Sequence, residues 1–453
     1  MKKLLIGTAV IALGFGLSAP ASAQVKLDLA GHFKGYATWI DQDTTPDDAT
    51  VVGDQSQEER SFDILRETEI HFTGETTLDN GLTVGFHSEA DLDGNNGAVG
   101  QEEFDIEEAY AYFSGAWGRV NFGQEDGAAY LLQVAAPSAD SNYDGIRQYV
   151  QPVNYTIITA AGTATDLTFD DIFQNGLAAQ ELVIDADGDD IVSANDIRVG
   201  DGIANLAGAA APRFDYDHAV TGSSDKFTYL TPVFNGFQAG FSYTPEIAAS
   251  TGLNGNRVDD VVGVYGDVWE VAARYEGQFG ELGVAVGAGY SHASLESDVD
   301  TVAGGAGSDA IFFRDVNGNG GPFQAGIDEV VATLDDAEAW NVGLDLNWGP
   351  FGIGAVYTED DNGVSGDWLE TETWAVGIDY TTGPFKLGAS YYTQDLREDT
   401  VEADRWTGGV AYTYGPGMTF RGSISYLELD EGLGITADSA EATSVMLGTQ
   451  IDF

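Results

Sequence analysis

Along much of the chain, apolar and polar positions alternate one by one. In AWNVGLDLNWGPFGIGAVY, Trp340, Val342, Leu344, Leu346 and Trp348 fall on one face and Asn341, Gly343, Asp345 and Asn347 on the other. Gly349-Pro350 turns the chain, and Phe351, Ile353, Ala355 and Tyr357 resume the apolar face. The same period recurs at Trp374, Val376, Ile378 and Tyr380, at Phe385, Leu387, Ala389 and Tyr391, at Trp406, Val410, Tyr412 and Tyr414, and at Phe420, Ile424 and Tyr426. A period of two with unlike faces predicts strands. The polar partners are Gly, Ser, Thr, Asn, Asp, Lys and Arg, so the second face meets water.

A soluble antiparallel sandwich also alternates, and three further features separate the cases. Trp and Tyr gather near strand ends, as in an aromatic girdle. No segment of helical period breaks the series. Connections alternate between tiny turns, at Asp79-Asn80-Gly81, Ser114-Gly115, Asn235-Gly236, Gly280-Glu281, Gly349-Pro350, Thr382-Gly383-Pro384 and Gly415-Pro416-Gly417, and long acidic or Gly-rich stretches near 41–60, 93–103, 125–225, 246–265, 293–336, 360–367, 394–403 and 428–440. These breaks predict an all-β fold, a transmembrane antiparallel β-barrel of about sixteen strands with short turns on one rim and long loops on the other.

A sheet that spans a bilayer must satisfy its backbone internally, so its last strand has to pair with its first. TSVMLGTQIDF, with Val445, Leu447, Thr449, Ile451 and Phe453 on one face, is expected to close the barrel against LDLAGHFKGYATW, with Phe453 at the short-turn rim. A barrel of that size is too wide for side chains to fill, so water enters and the tube is a pore.

Composition narrows the partners. The chain carries 18 Lys+Arg against 74 Asp+Glu, a formal net charge of −56, which repels phosphates and attracts cations and excludes nucleic-acid binding. There is no cysteine, so no disulfide holds the fold. MKKLLIGTAVIALGFGLSAPASAQ has a basic start at Lys2 and Lys3, an apolar run from Leu4 to Leu17 and a small-residue site at Ala21-Ser22-Ala23. It reads as a secretory signal over 1–23, cut before Gln24, leaving a barrel over 24–453. No later stretch approaches the roughly twenty apolar residues of a membrane helix.

Three stretches carry a family resemblance: KFTYLTPVFNGFQAGFSYTPE from Lys226, EEAYAYFSGAWGRVNFGQEDGAA from Glu107, and the terminal strand ending in Phe453. On these the chain resembles the general diffusion porins of the Gram-negative outer membrane, of alphaproteobacterial type. The resemblance implies a passive channel for small hydrophilic solutes and ions, a homotrimer embedded in outer-membrane lipid and lipopolysaccharide, and a terminal Phe453 read by the barrel-assembly machinery. It also implies a third loop folded into the lumen, its acids facing bases on the wall. The matching loop offers Glu125, Asp126, Asp140 and Asp144. For the wall, alternation turns Lys34 and Arg421 inward and favours Arg119, while Arg66 breaks the phase of its strand. Arg119 and Arg66 pairing with carboxylates in subunit packing is the alternative. This loop region, near 125–225, is longer than the family pattern, and an inserted segment is expected outside the pore.

The insertion holds a sharp local motif. DADGDDIVSAND places Asp185, Asp187, Asp189, Ser193 and Asp196 at the first, third, fifth, ninth and twelfth places of an EF-hand-type loop, with the Ile191 carbonyl at the seventh. Oxygens at that spacing wrap calcium, although Asp190 stands where the tight turn wants glycine. An acidic, solvated loop is the alternative. DLDGNNGAVGQE, with Asp91, Asp93, Asn95 and Glu102, and DVNGNGGPFQAGID are weaker versions. No cofactor is required.

Rival functions find less support. His32, His71, His87, His218 and His292 form no HExxH, and there is no G-x-S-x-G, so an enzyme is not expected. Single histidines in such strands read as lumen or girdle residues. A secreted calcium-binding β-protein would match the acid and the loops but not the rim asymmetry, and a solute-specific channel would want lumenal base clusters and an aromatic slide. The carboxylates favour a cation-preferring channel.

Overall fold

The computed structural model describes residues 25–42, 61–92, 105–137, 216–222, 224–247, 265–296, 335–363, 370–396, 401–431 and 439–453, together with six short strands between them. In chain order the first elements are β1 (Lys26–Gln42), β2 (Phe62–Thr77), β3 (Thr83–Asp91), β4 (Asp105–Gly115), β5 (Gly118–Gln124) and the one-turn helix α1 (Ala128–Leu131). Then come β6 (Tyr143–Asp144), β7 (Arg147–Gln148), β8 (Val183–Ile184), β9 (Ile197–Arg198), β10 (Asp225–Leu230), β11 (Phe237–Glu246), β12 (Tyr265–Phe279), β13 (Leu282–Leu295), β14 (Ala310–Phe312) and β15 (Val330–Thr333). The chain finishes through β16 (Ala337–Trp348), β17 (Phe351–Asp360), β18 (Thr371–Thr382), β19 (Phe385–Leu396), β20 (Val401–Gly415), β21 (Met418–Glu431) and β22 (Ser439–Asp452).

Strands β1–β5, β10–β13 and β16–β22 form one closed barrel, each paired with its sequence neighbour, as the alternation predicts. Closure runs through β1 and β22, with Phe33 opposite Ile451 and Trp39 opposite Val445. Phe453 exchanges both main-chain hydrogen bonds with Gly31, at 3.0 Å each, and so lies at the short-turn rim. The expected turns carry the glycines that left-handed backbone demands: Asn235 and Gly236 stand at φ of 52° and 88°, the geometry of a type I′ hairpin.

The apolar face points outward. Leu344, Ile353, Val376, Ile378, Leu387, Val410, Ile424 and Leu447 are all exposed there, a band that belongs against lipid and does not fit a soluble secreted protein. Aromatic rings edge the band at both rims. Trp340, Tyr357 and Trp374 run along the long-loop side with centroids 4.8 and 4.5 Å apart, and Phe351–Tyr380 and Phe385–Tyr412 sit at the short-turn side, both at 4.9 Å. Inside, Tyr265, Val268, Ala293 and Ala337 make a small buried cluster under Val220, Ile247 and Leu295.

Two features were not expected. The helix α1 interrupts the long third loop inside the barrel, where no helical period is visible. In a sheet separate from that of the barrel, β8 and β9 from that loop join β14 and β15 from the loop between β13 and β16, in the order β15-β14-β8-β9.

Candidate functional site

The site is the lumen and the loop that narrows it. After β5 the chain turns inward, and the root of the loop is pinned by buried polar groups. Asn121 Nδ2 donates to both carboxylate oxygens of Glu125, at 2.6 and 2.7 Å. Lys226, on the inner face of β10, gives its ammonium to the Glu125 carbonyl and to those of Gly222 and Ser224, at 2.7 and 3.0 Å for the latter two. One buried cation thus ties the outgoing and returning ends of the loop together. Glu270 on β12 accepts from Ser242 at 2.7 Å, and Ser242 accepts from the Ala128 N–H at 3.0 Å. Gly127 lies so close to this carboxylate that a Cβ there would fall 1.6 Å from Glu270 Oε2.

From Gly127 to Pro137 the loop lies on a track of glycines. Gly240, Gly287, Gly289, Gly343, Gly354 and Gly377 sit on the inward face of successive strands, and a Cβ on any of them would meet the loop. At Gly343 it would stand 2.2 Å from the Val134 carbonyl, and at Gly377 1.9 Å from that of Pro137. A missing side chain is what lets one backbone approach another this closely. Gln133 then joins the two limbs: its Oε1 accepts the His218 N–H at 3.0 Å and its Nε2 donates to the Tyr216 carbonyl at 2.9 Å. Arg274 donates to the Gln133 carbonyl at 3.1 Å.

The bases are distributed on the inner wall. Lys34 points inward and pairs with Glu67 at 2.6 Å. Arg421 shares the inward face with Ser423 and Ser425, both buried. Arg119 also points inward: its Nε donates to Asn121 at 2.6 Å and its guanidinium lies 4.1 Å from the Tyr112 ring, so subunit packing is not its place. Arg66 does not belong to the pore wall. It is exposed and shares its parity with Ile64 and Phe72, both on the outward face. In its stead the wall carries Arg405, 2 % exposed with its guanidinium 5.2 Å from the Tyr392 ring, and Lys386, 3.1 Å from Asp379. Their inward phase was legible between the outward Leu387 and Trp406.

The acids divide as well. Glu125 departs from the expected pore-lining role: at 3 % exposure it anchors the loop root instead of facing water. Burial pushes its carboxyl up to about 7, against the Asn121 hydrogen bonds, Arg119 and Lys226, which lower it. Asp126, beside it, is partly exposed. Asp140 lies outside the described residues, and of Asp144 only the strand is described, in a two-residue ladder opposite Arg147. Asp185, Asp187, Asp189, Ile191, Ser193 and Asp196 also lie outside them, although the flanking β8 and β9 pair Ile184 with Ile197 and so bring the ends of that segment together.

The histidines do more than line the lumen singly. His32, His71 and His87 converge on the inner face of β1–β3 with Glu67, Glu69 and Glu89, and Glu108 of β4 closes the group. The signal was present as E-x-E-x-H over Glu67–His71 and H-x-E over His87–Glu89, spacings that put every member on one face of a strand. His218 is buried beneath the loop, its Nε2 2.5 Å from Ser291 Oγ, and burial holds its imidazole down to about 4. His292 faces outward beside Trp269 as a girdle residue, 5.4 Å between rings.

A family model described as Gram-negative porin matches residues 7–432. No curated protein matches the chain. Among solved structures the fold is similar to that of an anion-selective porin from Comamonas acidovorans, with 15% identity and a TM-score of 0.51 over 95% of this chain and 100% of that one. Weaker likenesses include a loop-deletion form of OmpT, an outer membrane protein of Vibrio cholerae, with 13% identity and a TM-score of 0.47 over 95% and 99% of the chains. A variant of the Rh. blastica porin stands at 13% and 0.46 over 94% and 100%.

Proposed function

The chain belongs to the Gram-negative porin family, whose members are passive channels of the outer membrane, and from that premise we propose that this channel prefers cations. The observation that carries the reading is the composition of the inner wall. Across β2–β4 it presents Glu67, Glu69, Glu75, Glu89 and Glu108, while wall bases such as Lys34, Arg274 and Lys386 are held in ion pairs with Glu67, Glu276 and Asp379. The field of a chain with formal charge −56 adds to that local excess.

The proposal includes export by the leader at 1–23, assembly as a homotrimer in lipid and lipopolysaccharide, and reading of Phe453 by the barrel-assembly machinery. It also includes calcium at the Asp185–Asp196 segment, in the oxygen-rich spacing of that loop, as an ornament that the pore does not need. The solutes are small and hydrophilic, in keeping with a wide, polar-walled lumen.

Swelling of liposomes that contain the reconstituted protein tests the preference. Arginine, being cationic, is expected to enter faster than glutamate of similar size, and equal or reversed rates would remove the proposal.

A further inference from the structure

The cluster on β1–β4 has a property that a plain water-filled wall does not need: its register sets acid opposite acid. Glu69 faces Asp91 across the β2–β3 ladder, and Glu89 faces Glu108 across β3–β4. Like charges directly opposite on one face of a sheet are destabilising unless a cation lies between them. Imidazoles are interleaved with these carboxylates. His71 is bracketed, its Nε2 2.6 Å from Glu69 Oε1 and its Nδ1 2.9 Å from Glu89 Oε2. His87 has Nδ1 2.9 Å from the Thr73 hydroxyl, and its Nε2 lies 3.6 Å from Glu89 and 3.8 Å from Glu108.

We propose that this wall binds a divalent transition-metal cation of the zinc class through His71, His87 and Glu89, with His32 and Glu69 forming a second ligand set around the shared His71. In each set the ligand atoms already lie within 4.8 Å of one another, so rotamer adjustments bring them onto one ion. Mixed imidazole and carboxylate ligands suit zinc, copper or nickel, whereas calcium takes oxygen alone. The Thr73 contact is the outer support such a ligand requires: with Nδ1–H given to the hydroxyl, His87 turns the lone pair of Nε2 toward the ion. The side chains are 13–17% exposed, enough for entry from the lumen. The cluster sits near the middle of β1, β2 and β3, on their lumenal face.

The inference goes beyond the cation preference and does not depend on it. The test is calorimetric titration of zinc chloride into the folded full chain in detergent, for wild type, His71→Ala, His87→Gln and the outward control His292→Ala. Folding of each is checked by its heat-modifiable gel mobility. Wild type and the control are expected to bind zinc, calcium not to compete, and each of the other two to bind at least roughly tenfold more weakly. Because His71 holds two carboxylates and its loss could perturb the fold, cobalt(II) absorption of the His87→Gln protein supplies an independent readout, in which a lost or shifted ligand-field band supports the site. Zinc binding of unchanged affinity in both variants, or no binding by wild type, would overturn it.

Discussion

Glu125 shows how far one residue's role depends on burial. The sequence marks it as an acid at the start of the loop, and a lumenal carboxylate is the natural reading. What cannot be read is that Asn121 and Lys226 enclose it. Its folded value of about 7 lies above the ordinary 4.5, so the stability it confers is full below pH 4.5 and is lost as pH rises through 7. Thermal melts of the solubilised barrel are therefore expected to lose stability between about pH 5 and 8, and Glu125→Gln to flatten that dependence. A variant as pH-sensitive as wild type would contradict this. His218 acts in the opposite sense: its value is lowered to about 4 from 6.5, so its contribution holds above pH 6.5 and is lost as pH falls toward 4. Arg66 was ambiguous because a single phase break in β2 cannot be resolved without its neighbours on β1, where Gly35 opposes it.

At the scale of elements, strands were legible and the loop's seat was not. A two-residue period fixes which side of β16 or β18 meets lipid, because a slip of one would turn every apolar side chain inward. Glycines on the other side read only as polar-face residues. That Gly343 and Gly377 form a bed for Val134 and Pro137 follows from contacts between segments far apart in sequence. Gly343→Ala is expected to lower stability by about 1–3 kcal/mol, the range for forcing atoms into a filled site, measured as a fall in unfolding temperature. Gly280→Ala, where a Cβ meets nothing within 4 Å, tests backbone strain at a turn instead, since φ there is 67°. Gln133→Ala strips the His218 N–H of its Oε1 partner and is expected to cost about 1–3 kcal/mol in the same assay. Faster proteolysis of the loop in that variant would locate the loss. The helix α1 was invisible because four residues carry no period.

For the whole molecule, closure decides everything else. An open sheet of this composition would bare its edges to lipid, and β22 removes them by pairing with β1 on one side and β21 on the other. The ring of Phe453 lies over Gly31, where a Cβ would stand 3.0 Å from its Cζ, so the terminal residue covers a glycine on the closing strand. Phe453→Ala is expected to leave pairing intact but to lower the yield of assembled barrel in cells, which heat-modifiable gel mobility reads directly. The barrel, its strand count and its rim asymmetry were all legible because each follows from local pattern. Which acids face the lumen was not legible, since total charge does not place them on one face of a strand.

Single-channel recording in a planar bilayer, under roughly tenfold unequal KCl, tests the central claim most directly. Discrete openings with a reversal potential on the cation side are predicted, and the preference should weaken as salt approaches 1 M, where the screening length falls to about 3 Å. A reversal potential on the anion side, or folded and inserted protein that never conducts, would contradict the account.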